Sequence, residues 1–334
     1  MLSGRAARFA RVVASWAPVA GLAPHPPVRP NGISVMVRVR GDEEWIEPCL
    51  RSVRSLADEI VLLDNGASAN TRAAIVRVGE ALGSALRVLD CAADDLVGLS
   101  NRGLASCRFR WVVRWDADFV AHTDGPYAIG RLRDFLLGLS PRRYFLVEIC
   151  AAEVAGDLRH QFPDMRYRCD GQAAVWSPTL RYVMIRRTVP VERLAPHDRF
   201  LRPGDSVRRA LETLRSPRHY RVLRWREPAY LHVNVKSGRH LLLRHFWFEW
   251  LDATASGAAI AWEDYVTRRV AHEWGYADLA AAERCYLAAY CRGLVPYDPA
   301  RSGPYPALLK PHIESPRYRV EYRDGVITGR SERA

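Results

Sequence analysis

Asp116 and Asp118 stand one residue apart at the end of the apolar run RWVVRW, residues 110–115. A strand that stops at Asp-x-Asp presents two carboxylates at the carboxyl edge of a sheet, where α/β proteins gather their ligands. Two hard oxygen donors this close suit Mg²⁺ or Mn²⁺. Asp also favours ordinary turns, so the pair takes its meaning from its surroundings. A second run, EIVLL at residues 59–63, leads straight into Asp64-Asn65-Gly66. Here a carboxylate and an amide can hydrogen-bond a base edge or ribose hydroxyls, or can close an Asx turn. Arg38 and Arg40, at the end of the run ISVMVRV, are placed either to meet phosphate or to remain solvated.

The elements that would position these groups alternate. Residues 33–39 form a β-branched run fit for a buried parallel strand, and residues 42–56 carry Trp45, Ile46, Cys49, Leu50, Val53 and Leu56 at helical spacing. A strand at 59–63, a helix at 71–82, a strand at 85–89, a helix at 101–107 and the strand at 110–115 follow. Strand and helix in turn predict an α/β fold, a parallel sheet with right-handed crossovers. A helix is expected over 127–139, a strand over 144–151, and alternating apolar residues mark 182–185. Beyond Gly238 the period is helical over 240–251, 258–274 and 277–293, and Asp324-Gly325 signals a terminal hairpin. The division expected is a basic N-terminal arm over 1–30, loosely ordered or anchoring; a principal α/β domain over 31–237; and a mainly helical C-terminal extension over 238–334.

The chain has 334 residues, 49% of them hydrophobic, enough for a full core. Its formal charge is +12, which allows nucleic acid, anionic membrane or anionic small substrates as partners. Only two of the cations are lysines, Lys236 and Lys310, and the arginines are spread along the chain, which argues against a nucleic-acid surface. Seven cysteines without a CxxC pair read as thiols of a reducing, cytoplasmic compartment. No apolar run is long enough for a membrane span. The first thirty residues are basic, amphipathic and free of acid, a composition that allows peripheral membrane association or a transit-like leader. Neither a GxGxxG fingerprint nor a Walker loop is present.

Four stretches in order, ISVMVRVRGDEEWIEPCLRSV, EIVLLDNGASANT, GLSNRGL and WVVRWDADF, resemble the family 2 nucleotide-sugar glycosyltransferases of the GT-A fold. The resemblance covers residues 33–120 and implies a Rossmann-like, mostly parallel sheet with flanking helices. It also implies a nucleoside-diphosphate sugar as donor, a hydroxyl acceptor and a divalent cofactor, Mn²⁺ or Mg²⁺. Asp64 and Asn65 would then hold the nucleoside, Asn101 and Arg102 would lie beside the sugar diphosphate, and Asp116 and Asp118 would carry the metal. Three departures stand out: Arg38-Val39-Arg40-Gly41-Asp42-Glu43 where Pro-x-Tyr-Asn-Glu is usual, Ala67 for Ser, and Ala69 for Asp.

The resemblance further implies a base some tens of residues after Asp-x-Asp, a carboxylate for an inverting displacement. Asp198 is the first candidate, followed by Glu192, Asp170 and Asp205, with His197 beside it. His232, on the strand before Lys236, corresponds to the point where such enzymes supply a further metal ligand, and imidazole suits Mn²⁺. Lys236 would offset charge on the leaving group. The aromatic run Phe246-Trp247-Phe248-Trp250 would either pack as core or meet a hydrophobic acceptor. Two other readings compete: a sugar-phosphate nucleotidyltransferase, and a non-catalytic member that binds nucleotide sugar or a protein partner.

Overall fold

The computed structural model describes residues 4–41, 44–91, 95–163, 168–190, 206–255, 257 and 259–333. Helix α1 (Gly4–Ala14) precedes an alternating series: β1 (Ile33–Gly41), α2 (Ile46–Ser52), β2 (Glu59–Ala67), α3 (Ala69–Leu82), β3 (Leu86–Asp90), α4 (Leu96–Ser106), β4 (Trp111–Asp116) and β5 (Phe119–Ala121). Then come α5 (Gly130–Gly138), β6 (Phe145–Ala155), β7 (His160–Gln161), β8 (Arg168–Val175), β9 (Arg181–Pro190), β10 (Ser206–Arg215) and β11 (Arg221–Asn234). The C-terminal part holds α6 (Gly238–His245), α7 (Trp247–Ala255), α8 (Trp262–Trp274), α9 (Leu279–Arg292), β12 (Val295–Pro296), α10 (Pro299–Ser302), α11 (Lys310–Glu314), β13 (Tyr318–Arg323) and β14 (Val326–Glu332).

Eight strands form one sheet in the order β3-β2-β1-β4-β8-β6-β11-β5. β1 is parallel to β2 and β4, and β2 to β3, as the alternation of elements predicts. Strand β1 is buried on both faces because helices cover both sides, hence its unbroken β-branched sequence. Strand β8 then enters antiparallel between β4 and β6, which returns β6 and β11 to the direction of β4. The ladder between β6 and β11 breaks between Trp225 and Tyr230, a stretch that contains Pro228, which has no N–H to donate.

Several boundaries differ from the sequence expectation for local reasons. Helix α4 begins at Leu96 rather than residue 101, because the Asp95 carboxylate caps it by accepting from Gly98 N–H at 2.5 Å. Helix α5 begins at Gly130, three residues late, because Gly125, Pro126 and Tyr127 make a tight 3₁₀ turn first. Residues 4–30, expected as a basic arm either loosely ordered or anchoring, are tied to the domain. The Ser15 side chain is buried against Arg143, and Tyr144 Oη donates to the His25 carbonyl at 3.0 Å. The C-terminal helices have a core of their own, with Phe246, Val266, Val270, Tyr286 and Tyr290, continuous with Ala155 and Phe162 of the sheet region. The hairpin β13–β14 turns at Asp324 and Gly325, both at positive φ, as its two turn residues predict. No described helix is long and apolar enough to cross a membrane.

Candidate active site

The site is assembled at the carboxyl edge of β1, β4 and β11. Arg38 of β1 sits opposite Asp116 of β4 in register, and His232 of β11 sits opposite both Phe119 of β5 and Glu153 of β6. An aromatic stack holds this corner still: Phe119 lies on Tyr230 at 4.4 Å between ring centroids, and Trp115 lies on Tyr230 at 4.7 Å. A cavity of about 510 Å³ opens here, lined by Arg38, Asn65, Asp116, Asp118, His232 and Lys236 among others.

The two aspartates do different things. Both Asp116 oxygens accept from arginines, Oδ1 from Arg38 Nη2 at 2.8 Å and Oδ2 from Arg114 Nη2 at 2.9 Å. Burial pushes its carboxyl up, but Arg114 and Arg38 outweigh that and hold it below the usual carboxylate range. Arg38 also donates to Glu212 Oε2 at 2.5 Å and to Ser100 Oγ at 2.9 Å, so Asp116 belongs to a packed ion network. Asp118 faces the cavity. Its Oδ2 lies 3.1 Å from Lys236 Nζ, 3.3 Å from His232 Nε2 and 3.9 Å from Arg244 Nη1. Burial raises this carboxyl, yet Lys236 first and His232 second drive it well below its ordinary value. For His232, burial is outweighed by Asp118 and by Glu153, whose Oε2 lies 3.7 Å from Nδ1, and the imidazole is raised.

Asp118 Oδ2 and His232 Nε2, 3.3 Å apart, supply one oxygen and one nitrogen donor side by side at the cavity. Among the described residues no group of three His, Cys, Asp or Glu side chains is arranged to hold a metal. A two-donor set fits Mg²⁺ or Mn²⁺ bound jointly with phosphate oxygens, since such ions usually keep positions for substrate and water. The carboxylate behind His232 Nδ1 is the kind of partner that orients a ligating imidazole.

Three other residues singled out from the sequence do not line the cavity. Asp64 Oδ1 accepts from the N–H groups of Gly66 and Ala67, and Oδ2 from Arg72 Nε at 2.7 Å, so this carboxylate closes its own loop while Asn65 faces the cavity. Asn101 bridges to β9, donating to the Tyr182 carbonyl at 3.0 Å and accepting from its N–H at 2.8 Å. Arg102 is exposed on α4. Gly103 explains why that motif needs a glycine: a Cβ there would stand 2.5 Å from both Leu63 and Met36. Asp198, Glu192, His197 and Asp205 lie outside the described residues, as does the side chain of Asp170.

Sequence reasoning passed over other cavity residues, Arg244, His240 and Trp262. His240 and Arg244 are four apart on α6, one face of a helix that starts just after Lys236; that spacing was the available signal. Burial, with Lys236 and Arg244 nearby, lowers His240 to about 3, so it stays neutral. The aromatic run divides: Phe246 is core, whereas Trp247 and Trp250 line the cavity with Trp262. The Arg40 guanidinium lies 5.1 Å from the Trp247 ring and 5.8 and 6.0 Å from those of Trp250 and Trp262.

Residues 34–127 match the family described as Glycosyl transferase family 2. The match covers less than a third of the chain. The family 2 segment runs from β1 to just past β5 and brings Asn65, Asp116 and Asp118, while His232, Lys236 and Arg244 come from beyond it. No curated protein matches the chain. Solved structures similar to it include the following three. A mycobacterial protein shares 22% identity over 46% of this chain and 47% of its own, with a TM-score of 0.29. Glucosyl-3-phosphoglycerate synthase from Mycobacterium tuberculosis, in complex with Mn²⁺, uridine diphosphate and glucosyl-3-phosphoglycerate, shares 23% over 40% and 46%, with a TM-score of 0.28. S. aureus TarS, residues 1–349, shares 15% over 78% and 71%, with a TM-score of 0.37. The chain spans less than half the length of the first two.

Proposed function

We propose that the protein transfers a sugar from a nucleoside-diphosphate sugar to an acceptor hydroxyl, with Mg²⁺ or Mn²⁺ as cofactor. The observation that carries this reading is Asp118 at the sheet edge, within 3.3 Å of His232 and 3.1 Å of Lys236, in a cavity built on a family 2 segment. Asp118 and His232 are the residues that would hold the cation. When bound, such an ion offsets the charge that develops on a departing diphosphate.

The chain's own cations add to that. Lys236, only 5% exposed, and Arg244 point at the same carboxylate oxygen, which supports a role for both in offsetting charge on a departing diphosphate. Arg38 holds Asp116 rigid and keeps the edge of β4 aligned with β1. Asn65 offers an amide toward a nucleoside, and Trp247, Trp250 and Trp262 give an apolar wall that excludes water from one side. Asp198 is retained as the proposed base that takes the acceptor's proton in an inverting displacement, a role that rests on its place in the chain.

Incubation with a panel of nucleotide sugars, with and without Mn²⁺ or Mg²⁺, tests the reading. Release of nucleoside diphosphate that requires the cation and fails in Asp118→Asn is the expected result. Pyrophosphate exchange would point to nucleotidyl transfer instead, and tight binding without turnover to a non-catalytic member.

A further inference from the structure

Helix α1 turns the wrong side outward. Phe9, Val12, Val13 and Trp16 fall at i, i+3, i+4 and i+7, one face of a helix and its following turn, and that face is in solvent, with Phe9 71% and Trp16 52% exposed. Val19 and Leu22 extend the patch, Leu22 at 82%. Of the twelve exposed large hydrophobic residues among those described, seven lie between Phe9 and Val28, so the surface's apolar exposure is concentrated in this one segment.

The segment is not loosely placed. Ser15 is fully buried and its Oγ accepts from Arg143 Nη2 at 2.6 Å, while the Arg143 guanidinium sits 4.0 Å from the Trp16 ring centroid. Arg29 donates to the Cys107 carbonyl at 2.5 Å and stacks 3.3 Å over Trp176. The polypeptide is thus fixed along one side with its apolar residues facing away. Its charge is one-signed: residues 1–30 contain Arg5, Arg8, Arg11 and Arg29 and no Asp or Glu.

We infer that this face is a docking surface for an anionic lipid bilayer. The helix has 11 residues, too short to span, and a basic helix with an apolar face lies in the interface plane, its side chains inserted among acyl chains and its arginines at the headgroups. Trp16 is of the type that settles at that depth. Arg29 is engaged at Cys107 and Trp176, but the segment as a whole carries positive charge and no acid, which favours acidic over neutral lipid. Arg143 and Tyr144 stand at the start of β6, so the docking face lies at the amino edge of the sheet, opposite the edge that bears Asp118. The inference does not depend on the transfer reaction.

Sedimentation of the full chain with phosphatidylcholine vesicles, and with vesicles that also contain phosphatidylglycerol, provides the test. Binding to the acidic vesicles only, weakened by added salt, is the expected outcome. Phe9→Ser with Val13→Ser, both at exposed positions, should weaken it at least about tenfold with an unchanged melting temperature. Absence of binding to acidic vesicles, or binding that the double substitution leaves intact, overturns the inference. So does a dimer in solution that the same substitutions dissociate, which would make this face a contact between copies.

Discussion

Arg38 Nη2 lies 2.8 Å from Asp116 Oδ1, and this pair separates the duties of the two aspartates in the Asp-x-Asp motif. Asp116→Ala should lower stability by about 2 kcal/mol, less than the ~3–5 kcal/mol of a fully buried pair, because its side chain is 28% exposed. Asp118→Ala should remove cation-dependent turnover while the protein still folds, at a stability cost at least as large, because it leaves the buried Lys236 and His232 without their carboxylate. Calorimetry and nucleoside diphosphate release on both variants check this, and an Asp118 variant that keeps cation-dependent turnover would reverse the assignment.

Lys236→Met keeps the aliphatic stem and removes the charge beside Asp118. Turnover should fall by about 10²–10³, the usual effect of deleting one preorganised group that meets developing charge. Steady-state kinetics should place most of the loss in kcat. A change confined to KM would assign Lys236 to ground-state binding instead.

Gly103→Ala forces a methyl into Leu63 and Met36 where α4 crosses the sheet. The cost should be roughly 1–3 kcal/mol, read as a lower denaturation midpoint with an unchanged slope. If the variant is as stable as the parent, α4 does not pack as closely as described.

Much of this was legible in the sequence. The apolar runs of β1, β2 and β4, the helices between them and the acidic end of β4 follow from patterns a few residues long. The insertion of β8 between β4 and β6 was not, because strand order is decided by long-range pairing that local periodicity does not encode. The same limit applied to side chains. Nothing near Asp116 in sequence names Arg38 as its partner, and nothing near Asn101 says that its amide is spent on Tyr182. The aromatic run near Trp247 mixed two environments, since helical geometry sends Phe246 inward and Trp247 and Trp250 toward the cavity.

Glu59 gives a pH dependence of determinate sign. It is fully buried and accepts from Ser34 Oγ, from Arg108 N–H and Nε and from Arg87. Burial raises its carboxyl, but these donors outweigh that, and the folded value lies below the ordinary 4.5. The unfolded chain therefore takes up the proton first, so this stabilisation is complete above pH 4.5 and is lost as pH falls through the folded value. Glu59→Gln should be less stable than the parent by on the order of 2 kcal/mol at neutral pH. That gap should close in acid, as followed by thermal melts across the range.

Strand β11 brings His232 to Asp118 from outside the family 2 segment and hands the chain on to Lys236 and Arg244. The recognisable segment therefore carries only part of the cavity's polar lining, and the rest is encoded more than a hundred residues downstream. For anyone recombining such proteins, the natural crossover falls after α6. A chimera joined between β5 and β11 would inherit one parent's carboxylate and the other's imidazole and lysine, and its two halves would meet at the most distance-sensitive place in the molecule.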